Sequence, residues 1–163
     1  MKPTVSKILA FAFLFTSAAS CKKNDTGTGT LAKSKTILLT QGSWKIQSFG
    51  IDADKDGKID EGSDYTSVIP ACRLDNIYTF KPDGSGSTDE STTKCSDGDP
   101  QTTAFAWLFK NNETVLSGTF VVTDGISNGD GTIIAISDTS LVVNYYSNFG
   151  GPGFYYTTTI LKH

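Results

Sequence analysis

The chain has a single histidine, His163, and it falls beyond the last strand-like pattern. No interior Ser/His or Cys/His pair is therefore available for nucleophilic catalysis. A carboxylate pair could serve a glycosidase, but the acidic residues cluster in Gly-rich turns, where such side chains are usually solvated. No enzyme activity is expected. A long apolar run is also missing. The longest, Ile8 to Phe15, is far short of the roughly 20 residues that a membrane-spanning helix needs. No basic cluster with interleaved aromatics occurs beyond residue 36, which argues against a nucleic-acid partner. Helical periodicity is nearly absent; "KTILLTQG" is the one short candidate, with Ile37, Leu38 and Leu39 placed to plug one end of a barrel.

What is present starts with the leader. "MKPTVSKILAFAFLFTSAASC" carries Lys2 and Lys7, the apolar run, then Ser17, Ala18, Ala19 and Ser20 ahead of Cys21. That order fits a secretory signal. It resembles a bacterial lipoprotein signal, in which the cysteine becomes the lipidated N-terminus, although Ala18 stands where Leu is frequent. Ordinary secretion is the alternative. Residues 22–36, "KKNDTGTGTLAKSKT", are polar and aperiodic and read as a tether. The expected organisation is a signal over 1–20, a tether over 21–36 and a domain over 37–163. Without Lys2 and Lys7 the chain keeps 12 basic against 17 acidic residues, a net charge of about −5.

Three cysteines divide readily in an oxidising compartment. With Cys21 lipidated, Cys72 and Cys95 remain as an even pair, expected as a structural disulfide. A redox-active pair is the alternative, at a spacing far from C-x-x-C.

From Gly42 onward the pattern is β. "GSWKIQSFGI" buries Trp44 and Ile46 on one parity and Phe49 and Ile51 on the other, which predicts a bulge near Gln47 or Ser48. "NIYTFKPDG" alternates and stops at a Pro-Asp-Gly turn. "TTAFAWLFKNNE", "TVLSGTFVV", "GTIIAISD", "SLVVNYYS" and "GFYYTTTILK" follow, rich in β-branched and aromatic residues. "TDGISNGDGT", residues 123–132, reads as a long hairpin loop and "NFGGPGF" as a turn. The fold class expected is all-β, an up-and-down antiparallel barrel of about eight strands with a short N-terminal helix. A two-sheet sandwich is the alternative.

Gly42-Ser43-Trp44, after a helical lead-in, resembles the G-x-W signature that opens the first strand of lipocalins. "ACRLDNIYTFKPDGSGS", then "TKCSDGDP", then the aromatic strand around "AFAWLF" resemble the small lipocalin-like lipoproteins of Bacteroidetes-type bacteria. The resemblance covers roughly residues 37–162. It implies an anchored, lipocalin-like barrel that binds a small apolar or amphipathic ligand. The last strand ends "TTTILKH", so Lys162 is the nearest candidate for the Arg that lipocalins stack over this Trp.

Two candidate sites follow. Inward faces carry Tyr78, Phe80, Phe105, Trp107, Leu141, Val143, Tyr145, Phe154, Tyr156 and Ile160; the pocket is expected on Tyr78, Phe80, Phe105, Trp107, Tyr145 and Tyr156. The alternative is that these rings simply fill the barrel, leaving a structural or interaction module of the cell envelope. The second site is "IDADKDGKIDEGSD". Asp52, Asp54, Asp56, the Lys58 carbonyl and Asp60 fall at positions 1, 3, 5, 7 and 9 of a calcium loop, with Gly57 at the sharp turn and Ile59 where such loops pack an apolar side chain. Ser63 occupies the twelfth position, so Asp64 is the nearest substitute for the usual bidentate Glu. Strand-like flanks exclude an EF-hand. Calcium as a structural staple is the expectation, and a charged soluble turn the alternative. The partners expected are a lipid bilayer, reached through Cys21, and a small apolar ligand, with the chain a monomer in the outer membrane, periplasmic or surface-exposed.

Overall fold

A computed structural model describes residues 33–118, 129–147 and 155–162. The signal, Cys21, most of the tether and Phe154 lie outside the described residues, as do the side chains of Tyr156, Ile160 and Lys162.

The N-terminal helix α1 (Lys35–Thr40) starts where Ser34 Oγ accepts from Ile37 N at 3.2 Å. Residues 33–36, read from the sequence as tether, therefore belong to the folded domain. Of the three apolar residues expected to plug the barrel, Leu39 is fully buried while Ile37 is half exposed.

Eight strands follow among the described residues: β1 (Ser43–Ile51), β2 (Ile77–Phe80), β3 (Ser85–Asp89), β4 (Thr102–Lys110), β5 (Val115–Gly118), β6 (Gly129–Ile136), β7 (Ser140–Ser147) and β8 (Tyr155–Lys162). Each pairs antiparallel with the next, and β8 returns to β1, closing an up-and-down barrel with no Greek-key crossing. That decides against the sandwich. The register of β1 on β8 shifts between Ile46 and Ser48, which places the bulge at Gln47. The extra residue is why Trp44, Ile46 and Phe49 all face the core despite their change of parity.

Two strand stretches differ from the sequence reading. Ser85–Asp89 is a strand with no large apolar residue, and β6 opens at Gly129, two residues ahead of the "GTIIAISD" read as strand and inside the stretch read as a hairpin loop. In both, a glycine takes an inward position beneath a ring. A Cβ on Gly86 would lie 2.1 Å from the Phe105 ring, and one on Gly131 would lie 2.4 Å from Val143 and 2.6 Å from Tyr145. The missing side chains make room for their neighbours' aromatics.

One barrel end is tied to α1. Lys35 Nζ donates to Glu113 O at 2.6 Å on the β4–β5 turn, and Gln41 Nε2 donates to Asp138 on the β6–β7 turn. Trp44 Nε1 donates to Leu39 O at 2.8 Å. At the other end the β1–β2 connection carries a 3-10 turn (Thr66–Val68) and helix α2 (Ala71–Leu74). Cys72 on α2 is bonded to Cys95 on the β3–β4 loop, as the cysteine count led us to expect. Ile69 from this connection is buried in the core.

Candidate functional site

The inner wall is graded along the barrel. On β2 and the residue before it, Asn76, Tyr78 and Phe80 are all buried at alternate positions, so all three face inward. Phe80 is next to the Lys81–Gly84 turn at the α1 end, and Asn76 is at the opposite end. Near Phe80 the inner wall is apolar and its rings pack against one another. Phe80 meets Phe105 edge-on at 5.2 Å and Trp107 at 5.8 Å, and Trp107 meets Phe109 at 5.3 Å. Trp107 Nε1 donates to Ser85 O at 2.9 Å and Lys81 O at 3.1 Å, so the indole is held by its polar edge as well. On β7, Leu141, Val143 and Tyr145 repeat this gradient, apolar near α1 and phenolic at the far end.

Burial pushes the Tyr78 hydroxyl up from 10.0 to about 12, against a hydrogen bond from Asn76 that works the other way. Tyr145 is pushed up too, by burial and by the nearby Tyr78. Both shifts favour the neutral phenol in the folded state. The associated stability is fully present below about pH 10 and is lost as pH rises through the folded values. For Tyr78 alone the loss approaches about 3 kcal/mol. Urea midpoints measured from about pH 8 to 12 should fall steeply at the top, and Tyr78→Phe should flatten part of that fall. A flat wild-type profile would mean that Tyr78 is not buried.

The acidic loop is built differently from a solvated turn. Asp52 is 0% exposed. Its carboxylate accepts from Asp56 N at 3.0 Å, Gly57 N at 2.9 Å and Asn144 Nδ2 at 2.8 Å. Asn144 belongs to β7, and a Cβ on Gly57 would lie 2.7 Å from Ile134 of β6. Because β8 separates β1 from β7, the loop crosses the outside of β8 and packs on the barrel wall. Gly57 is needed there for that contact and for its φ of +85°. The loop returns along β1, with Asp60 N donating to Ile51 O at 2.8 Å and Ile59 packed against Gly50.

Of the six ligands expected, the structure gathers three carboxylates, Asp52, Asp54 and Asp60, with oxygens within 4.8 Å of one another. Asp56 does not join them. The Lys58 ammonium sits 2.6 Å from its carboxylate and holds it below the usual range. Nor does Asp64, which accepts from Thr66 Oγ1 at 2.6 Å and Thr66 N at 2.8 Å, bonds that lower its carboxyl too. Short-range partners two residues away outcompete the loop centre for both side chains. Lys58 thus enters the loop as the cation on Asp56.

A family model for the lipocalin-like domain matches residues 40–143, well over half of the chain. The protein belongs to the lipocalin-like domain family. Among solved structures, a deswapped triple mutant of bovine odorant binding protein is similar over 77% of this chain and 74% of its own, at 14% identity and a TM-score of 0.39. No curated protein matches. Barrels of the lipocalin-like kind hold small apolar molecules among their inward side chains.

In this lipocalin-like barrel, Tyr78, Phe80, Phe105, Trp107 and Tyr145, the residues expected to line a pocket, lie in one buried core together with Leu141 and Val143. Tyr156 falls outside the described side chains. Leu116 and Ile133 also line the core, and Asn76 faces the lumen; neither group was singled out from the sequence. Asn76 was legible, since it continues the alternation of Tyr78 and Phe80 by one step.

Proposed function

We propose that this lipocalin-like protein is a lipid-anchored binding protein of the bacterial outer membrane, holding a small apolar or amphipathic molecule within its barrel. The observation that supports binding most is the graded inner wall. Aromatic rings supply contact area, and the phenols of Tyr78 and Tyr145 supply polar tips toward the end away from α1. The anchored, lipoprotein part of the reading rests on the leader and Cys21. A second reading, a filled barrel acting as an envelope module, draws on the edge-on packing of Phe80, Phe105 and Trp107.

The two part in one titration. N-phenyl-1-naphthylamine, an apolar fluorescent probe, should bind saturably at one site, and Val143→Trp, which fills the lumen, should weaken it about tenfold or more. No saturable binding establishes the filled barrel. In the same series, Cys21→Ala should move the protein from the membrane to the soluble fraction of cells. Retention in the membrane would remove the anchor from this reading.

Calcium belongs to the proposal as a structural ion on Asp52, Asp54 and Asp60. Three carboxylates this close repel one another, and a divalent cation with oxygen ligands relieves that. Because the loop is latched to β7 through Asn144, its ion would stabilise the barrel wall. Millimolar calcium should raise the melting temperature over chelator-treated protein by several degrees, roughly 1 kcal/mol or more. Identical melting curves would remove the ion from the reading.

A further inference from the structure

Asn76 is 6% exposed, and its Oδ1 has no hydrogen-bond partner. A buried acceptor left unmade is costly, and native structures hold few. Tyr78, two residues on in β2, is buried on the same inward face. Tyr145 is buried on the inward face of β7, in the same core as Tyr78. The amide therefore faces inward beside Tyr78, and its acceptor has no donor from the protein. A backbone bond from Asn76 N to Arg73 O at 3.4 Å and the Cys72–Cys95 bridge fix the chain just before it.

We propose that Asn76, with Tyr78 and Tyr145, is the head-group site of the barrel, taking the hydroxyl or N–H of an otherwise apolar ligand on Asn76 Oδ1. The inference rests on the binding reading above and adds the ligand's chemistry to it. An acceptor requires a donor, so a neutral alcohol or amide satisfies it, whereas an ether leaves it bare. A carboxylate would set a negative oxygen against it. The apolar body would lie toward Val143 and Phe80, along the gradient of the wall.

The test is a calorimetric titration of the full-length, oxidised chain with three probes of one length: 1-decanol, decyl methyl ether and decanoate. The alcohol should bind about tenfold tighter than the ether, the cost of one buried acceptor left unpaired. Asn76→Leu should abolish that preference, bringing alcohol and ether to equal affinity. Equal binding of alcohol and ether by the wild type overturns the head-group site and leaves the binding reading standing. Tightest binding of decanoate overturns it as well, by placing the head group on a cation such as Arg73. No binding of any probe overturns both. The wild-type comparison needs no variant, so the outcome does not hinge on how Asn76→Leu folds.

Discussion

Trp44→Ala should cost about 4 kcal/mol of unfolding free energy, in the range for a buried aromatic cut back to Ala. Trp44 is fully buried at the head of β1, in a core that includes Leu39 of α1. Truncation removes the transfer free energy of the ring and leaves a cavity where β1 meets α1. It also strips Leu39 O of the indole donor at 2.8 Å. The carbonyl comes from the last turn of a six-residue helix, too short to hold itself without tertiary contacts. Trp44→Phe separates the terms: most of the ring's burial stays and the hydrogen bond goes, so the loss should be about 1–2 kcal/mol. Urea denaturation of both variants checks this. A loss under about 1 kcal/mol for Trp44→Ala would show that the ring does not close this end of the barrel.

The second large effect belongs to the other end. Replacing Cys72 and Cys95 together by Ser should cost about 3 kcal/mol, as expected for a bridge spanning 23 residues on the chain-entropy account. The bridge ties α2 to the β3–β4 loop, the segments flanking Asn76 and Tyr78. Its loss should therefore be uneven. Amide exchange should speed up over residues 65–76 and 90–101 and change little in α1 and the first half of β1. Reductant should reproduce the effect in the wild type and do nothing further to the double variant. Equal denaturation midpoints with and without reductant would mean that the bridge contributes nothing to the folded state.

Much of the architecture was legible because a strand with one buried face has a period of two. Tyr78 and Phe80, or Phe105 and Trp107, announce their face by alternation alone, and the parity change from Ile46 to Phe49 announces the bulge at Gln47. The same rule fails for Ser85–Asp89. Its buried inward residue is Gly86, and the space above it is filled from β4 by Phe105, so the apolar signal sits on a different strand. Gly131, beneath Val143 and Tyr145, likewise gives the opening of β6 no apolar signal of its own.

The acidic loop divides along the same line. Spacing alone put alternating carboxylates in one tight connection and gave Gly57 the turn. Which of them meet was settled by contacts distant in sequence. Asn144, 92 residues away, draws Asp52 into the wall of the barrel, while Lys58 and Thr66 divert Asp56 and Asp64. Local pattern determined most of the strands, the bulge, the turn chemistry and the cysteine pair, because each depends on neighbours within a few residues or on simple counting. Barrel closure, the latch on Asn144 and the unpartnered oxygen of Asn76 depend on surfaces brought together only when β8 meets β1. Those contacts were left to the tertiary structure, since hydrogen bonding and packing across a barrel leave no period in the chain.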